Sequence, residues 1–148
     1  MRISAKCRYG IAAMIYIAKY STNNECITIL SISEKLEISK IYLEQVFSLL
    51  KRAGLVNSIK GAQGGYQLAQ PADKIRVGDI MRAIEFSLFE KTERSVADSI
   101  MVIDTALSKL VWVPLDQSIE SSIDSVTLQD LVKEAESNVD GGNIMFYI

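Results

Sequence analysis

The stretch "SIKGAQGGYQLA", Ser58 to Ala69, places three glycines within five residues and flanks them with residues that favour strands. A phosphate-binding loop needs its glycine-rich turn to run straight into a helix that carries a lysine and then a serine or threonine. Here Gly65 is followed by Tyr66-Gln67-Leu68-Ala69, which alternates as a half-buried strand does, and Pro71 ends it. Upstream, Leu55-Val56-Asn57-Ser58-Ile59 reads as the partner strand. The segment is therefore predicted as a β-hairpin with a long glycine-bearing tip and one cation, Lys60, at its start. An enzymatic reading would have this glycine loop alone behind it.

The rest of the chain bounds what such a hairpin can serve. With 148 residues and 49% hydrophobic content it can bury one proper core and is short for two independent domains. It lacks the run of about 18 apolar residues that a membrane span needs, and its start, "MRISAKCRYGIAAMIYIAKY", mixes charge into apolar residues at helical spacing. Neither a signal peptide nor membrane association is expected. Two cysteines, Cys7 and Cys26, without a pairing framework fit a reducing cytoplasm. Histidine is absent, which removes the commonest general base and the commonest metal ligand together. Two cysteines make neither a four-cysteine zinc site nor a thiolate-held iron–sulfur cluster. No enzymatic activity, metal or cofactor is expected.

The net charge of −2 conceals an asymmetry: residues 1 to 82 carry 12 Lys and Arg against 6 Asp and Glu, whereas residues 83 to 148 carry 4 against 12. A basic front half joined to an acidic back half fits a nucleic-acid-binding module fused to a partner-binding or dimerising one. Uneven charge on an ordinary surface is the plainer alternative.

A first helix is predicted from about Ala5 to Tyr20, with Ile11, Met14, Ile15 and Ala18 as its apolar stripe. The polar "STNNE" breaks it. A short second helix covers roughly Ile29 to Leu36, capped either by Ser31 in a capping box with Glu34 or by Thr28. Ser39 is expected to cap a third helix that runs to about Ala53 and stops at Gly54. Its buried stripe is Leu43, Val46, Phe47 and Leu50, which leaves Ser39, Lys40, Tyr42, Glu44, Gln45 and Ser48 free of the core. Two short helices joined by a few residues, the second with a polar front, are a helix-turn-helix pattern. With the hairpin behind them they describe a winged helix. A wing tip must approach a sugar-phosphate backbone closely, and glycine offers no Cβ to obstruct it.

Beyond the hairpin, "IRVGDIMRAIE" reads as an amphipathic helix with Ile80, Met81 and Ile84 inward, and "FSLFEKTERS" as a linker. Val96, Ile100, Ile103, Leu107 and Leu110 recur at near-heptad spacing along a long helix that Pro114 is expected to end or kink. That stripe is either core or a homodimer seam, and the seam is favoured for a helix placed after a complete winged helix. A last helix, "TLQDLVKEAE", takes Thr127 as N-cap with Asp130 near its positive end. The predicted organisation is a winged helix-turn-helix domain over 1–86, a linker over 87–95, a dimerisation helix and C-terminal helix over 96–137, and a tail over 138–148. The fold class is mainly α with one small hairpin.

The segments "KCRYGIAAMIYIA", "ISKIYLEQVFSLLKRAGLVNSIKGAQGGYQLA" and "IRVGDIMRAIE" resemble, in order and spacing, the signature segments of the Rrf2 family of bacterial winged-helix transcription regulators. Many members hold an iron–sulfur cluster through three cysteines where this chain has "FSLFEKTERSVADSI", which contains neither cysteine nor histidine. Within the family the resemblance is greatest to the cluster-free repressors of cysteine metabolism in Gram-positive bacteria, through the plain linker, the "TLQDLV" helix and the ending Met145-Phe146-Tyr147-Ile148.

The resemblance implies a repressor of sulfur-uptake and cysteine-synthesis genes that binds a double-stranded operator as a homodimer. It also implies a partner, cysteine synthase, and a signal, O-acetylserine, that loosens the complex. Serine acetyltransferase docks on that enzyme with a C-terminal isoleucine, so Ile148, flanked by Met145, Phe146 and Tyr147, is the expected anchor, with a tail folded on its own domain as the alternative. Similarity to the family directs Tyr42, Glu44 and Gln45 to the major groove. There Glu44 can accept from cytosine and Gln45 can serve adenine. Lys6, Arg8, Ser39 and Lys40 are expected at phosphates, and Lys60, Gly61, Gln63 and Gly64 at the wing contact.

Three other readings stay open. Cys26, in a polar loop, could make the chain a redox-sensing regulator. Cys7 stands where the family usually has glycine and reads as an ordinary thiol. The scaffold could also serve as a protein-interaction module that no longer binds DNA.

Overall fold

In the computed structural model the described residues are 1–23, 25–62, 64–91 and 100–146, those beyond 139 as backbone. Helix α1, Ala5–Tyr20, begins at Ser4, whose hydroxyl accepts the Cys7 amide at 3.1 Å. Ser4 in turn donates its own amide to Glu85 Oε1 at 3.0 Å, which ties the start of the chain to a residue 81 positions later. The buried face of α1 is Cys7, Gly10, Ala13, Met14 and Ile17, while Ile11, Ile15 and Ala18 are only half-buried. The expected stripe is thus rotated. This helix is packed by several elements at once, so its core face is wider than a one-sided stripe.

Helix α2, Ile29–Leu36, is capped by Thr28, which accepts the Ser31 amide at 3.1 Å. Glu37 adopts the left-handed conformation at its end, φ 54°, and opens the tight turn into α3, Lys40–Arg52. Ser39 occupies the N-cap position of α3 but makes no side-chain cap, so the expected cap is corrected to position alone. Leu43, Val46, Phe47 and Leu50 are buried as expected. Each such side chain contributes about 1.5–3 kcal/mol through the apolar surface it removes from water.

Strands β1, Val56–Ile59, and β2, Gly65–Leu68, form the antiparallel hairpin, with Val56 opposite Leu68 and Ile59 opposite Gly65. A third backbone segment joins them. Ile27 donates to the Tyr66 carbonyl at 2.8 Å and accepts the Tyr66 amide at 2.7 Å. Phe47 meets the Tyr66 ring at a centroid distance of 4.6 Å, so α3 sits against β2 of the hairpin.

Helix α4, Val77–Ile84, buries Gly78, Ile80, Met81 and Ile84. The predicted linker starts as structure: Phe86–Phe89 forms a 3-10 turn. From there the residues 92–99 fall outside the description. A continuous helical rod then runs through α5, Met101–Leu107, a π-turn, Ser108–Trp112, and α6, Val113–Asp124. Pro114 does not end it. Its ring would strike the carbonyl four residues back and it has no amide to donate, and the π-turn immediately before it, where Val113 bonds to Ser108, opens the room required.

Helix α7, Leu128–Phe146, starts with a complete capping box: Thr127 donates to Asp130 Oδ2 at 2.9 Å and its hydroxyl accepts the Asp130 amide at 3.1 Å. One expectation is corrected here. The helix continues through the segment predicted as a tail from 138, because Gly141 and Gly142 each cost only about 1 kcal/mol in a helix and no proline follows them. Leu128 and Val132 are buried, Leu128 within the same core as Cys7, Met14 and Ile75. The start of α7 thus packs into the one core that the chain's length leads one to expect. No helix among the described residues is long and apolar enough to cross a membrane.

Candidate nucleic-acid interface

The polar front of α3 is free of the core. Lys40, Ile41, Tyr42, Glu44, Gln45 and Ser48 are all exposed, opposite the buried Leu43, Val46, Phe47 and Leu50. Lys40 and Glu44 face each other at 3.9 Å, and both are more than half exposed, so water screens the pair and leaves either free to take another partner. Tyr42 is braced: its ring stands edge-on to Tyr9 of α1, centroids 5.8 Å apart. That contact brings the start of α1 beside the start of α3. Arg8 is exposed there and Lys6 half-buried. The exposed Ser39, making no cap, leaves the first amides of α3 without a side-chain acceptor, at the helix end that favours an anion.

At the hairpin, Lys60 and Gly61 are exposed at the tip, and Gly61 has φ +121°, a conformation that side-chain-bearing residues rarely adopt. Gly64 is half-buried, and a Cβ on it would strike the Ile59 carbonyl oxygen. The hairpin's own geometry demands glycine at that position, whatever binds outside. Gln63 lies outside the described residues.

Sequence reasoning passed over Ile41. It is 68% exposed and stands in line with Gln45, Ser48 and Arg52 along the centre of the outward face. The signal was present, an isoleucine off the heptad of buried residues, yet apolar residues on a polar face read as ordinary surface.

On the rod, Ile103 is 54% and Leu110 73% exposed, with Ile100 also exposed and Leu107 half-buried. Val96 lies outside the described residues. Exposure extends further than the predicted seam, to Met101, Val102, Val111 and Val113. The rod's other end is anchored. Arg82 of α4 donates to both carboxylate oxygens of Asp124, at 2.8 and 2.7 Å, and Arg76 donates to the Asp124 carbonyl at 2.6 Å. The guanidinium hydrogen bonds hold the Asp124 carboxyl below the usual carboxylate range and raise Arg82. Arg82 also lies over the Phe89 ring at 5.3 Å.

Cys7 is fully buried, and burial, with the Glu85 charge second, pushes its thiol up to about 11. Cys26 is half-buried and directly precedes Ile27, the residue that pairs with Tyr66. Met145 and Phe146 close α7 as backbone, and Tyr147 and Ile148 lie outside the described residues.

Three helices, a hairpin packed on the third of them and an outward polar face on that helix define a winged helix-turn-helix regulator. The chain belongs to the Rrf2 family, described as iron-dependent transcriptional regulators, whose profile matches residues 3–134. It is 34% identical over 148 residues to the transcriptional regulator CymR of Bacillus subtilis, covering 100% of both chains. It is 35% identical over 136 residues to IscR of Xenorhabdus nematophila, covering 92% of this chain and 82% of the other. The solved structure of CymR, titled the global cysteine regulator of B. subtilis, superposes with a TM-score of 0.72 over 90% of this chain and 98% of that one, at 34% identity. The oxidized form of Staphylococcus aureus CymR gives a TM-score of 0.67 at 36% identity, over 89% and 96%. The relatives are transcriptional regulators, and so is this chain.

The family's description names iron, and the donor set here does not fit it. Residues 86–100 contain no cysteine or histidine, and Cys7 and Cys26 lie near opposite ends of α1, about 20 Å of helix apart. Among the described residues no group of three or more His, Cys, Asp or Glu side chains could hold a metal ion.

Proposed function

We propose that this chain is a homodimeric repressor of cysteine and sulfur metabolism genes that binds a pseudo-palindromic operator, one half-site per subunit. The observation that carries DNA recognition is the outward face of α3, polar and exposed beside a hairpin with a cationic tip. Glu44 and Gln45 read base edges, and Tyr42, Lys6, Arg8, Ser39, Lys40 and the Lys60–Gly64 tip position the duplex. The exposed apolar rod supports pairing with a second copy.

The full-length likeness to CymR supports cysteine metabolism as the regulated process. On this reading Ile148, with Met145, Phe146 and Tyr147, enters the active site of cysteine synthase, and O-acetylserine competes for that pocket. Calorimetric titration of cysteine synthase with the full chain and with a form lacking Ile148, each with and without O-acetylserine, is the test. Binding that requires Ile148 and is lost to O-acetylserine is the expected result. Absence of binding in every condition would leave a regulator with another input.

A second reading has one observation in its favour. Cys26 adjoins the Ile27–Tyr66 bridge, one residue from the Ile59–Gly65 pair that closes the hairpin tip, so its oxidation could displace the wing. On that view peroxide releases DNA from the native protein and not from Cys26→Ser.

A further inference from the structure

The outward face of α3 has an apolar centre. Ile41, in its first turn, is the most exposed large apolar side chain described between Ile29 and Leu68, at 68%. At 3.6 residues per turn, Ile41, Gln45, Ser48 and Arg52 fall on one line, with Glu44 beside it and the buried Leu43, Val46, Phe47 and Leu50 behind. Tyr42 lies round the helix, leaning on Tyr9. The residue placed to enter a groove first is therefore the isoleucine, not the tyrosine.

A major-groove floor carries one apolar group, the C5-methyl of thymine; every other base edge presents donors and acceptors. The first turn of a recognition helix is the part that reaches base edges. In a helix isoleucine holds one dominant χ1 rotamer, so Ile41 meets a partner with little conformational freedom to lose.

We propose that Ile41 is a specificity-determining residue that packs on a thymine methyl, next to the bases read by Glu44 and Gln45. This rests on α3 being the recognition helix. Ile41 selects for thymine by an apolar contact and against cytosine, which carries only hydrogen at C5 and so leaves the isoleucine without that contact. Ile41 is exposed and outside the core, so its replacement leaves the fold intact.

The test begins by selecting duplexes from a random library with the full-length protein. Each thymine of one half-site in the selected duplex is then replaced by deoxyuridine, which removes the methyl and nothing else. Affinity is measured for the native chain, Ile41→Ala, Ile41→Val and Gln45→Ala. One thymine should show a loss of about four-fold on demethylation with the native chain, the effect of uncovering one methyl group. The loss should persist in Ile41→Val and vanish in Ile41→Ala. Deoxyuridine without effect at every position, or with equal effect on the native chain and Ile41→Ala, overturns the inference while Gln45→Ala still weakens binding. If no duplex is enriched, the recognition-helix reading itself falls and this inference with it.

Discussion

The ring of Tyr42 meets that of Tyr9 nearly perpendicularly, at 86°, with centroids 5.8 Å apart. This one contact joins the first helix to the outward face of the third. An edge-to-face pair of this kind contributes about 0.5–1.5 kcal/mol, so Tyr9→Ala is expected to weaken binding to a selected duplex by roughly two- to twelve-fold. Tyr9→Phe keeps the ring and should bind as the native chain does. Fluorescence anisotropy titration reads both, and an unchanged Tyr9→Ala would show that Tyr42 needs no brace.

Gly78 lies where α4 packs against the end of the rod. A Cβ there would strike the Asp124 carboxylate and stand 2.6 Å from the Arg82 guanidinium. Gly78→Ala should therefore destabilise the fold by about 1–3 kcal/mol, through overpacking together with loss of the ion pair. In the Asp124→Asn background the same change should cost less, because part of its effect is already gone. Urea unfolding of the single and double variants gives the comparison; strict additivity would deny the link.

Acid should find this contact. Arg82 depresses the Asp124 carboxyl, and the backbone and hydroxyl of Thr127 depress Asp130. A folded pKa below the unfolded value of about 3.9 means stability that is present above that pH and is lost as pH falls through the folded value. Asp124→Asn should be about 1 kcal/mol less stable than the native chain at pH 7, since both partners are partly exposed and screened. The two curves should converge as pH falls through the folded value of Asp124. A constant gap across that range would place the effect in packing instead of charge.

The two thiols should separate by reactivity. Cys7 is buried, with its thiol raised to about 11, so it should resist alkylation at pH 8 until the protein unfolds. Mass spectrometry after a brief iodoacetamide pulse should find the label on Cys26 and reach Cys7 in urea. Early labelling of Cys7 would mean that α1 opens locally.

Leu110, 73% exposed on the rod, tests the dimer. Leu110→Asp sets a charge into any apolar seam and should convert the chain from dimer to monomer in sedimentation at micromolar concentration, with the fold retained. A native chain that sediments as a monomer would turn the exposed rod into a surface for another partner.

Local chemistry was legible in the residues alone. The threonine cap at Thr127, the buried stripe of α3, the hairpin around Gly61–Gly65 and the missing cluster ligands depend on neighbours a few positions apart, and sequence records those directly. Two further features were not legible in this way. The rotation of α1 follows from packing on several sides, and the continuity of the rod across Pro114 from a π-turn that no propensity encodes.

Tertiary structure alone decided which of the exposed residues stand together. It braced Tyr42 on Tyr9, and it joined Arg82 to Asp124 across 42 residues of chain. It also assigned Gly65 to the close approach of the Ile27 backbone, whose carbonyl oxygen would lie 2.5 Å from a Cβ. Periodicity reports which face of an element is apolar. Which partner that face meets, and which side chain is left facing outward, is settled only when the elements close on one another in space.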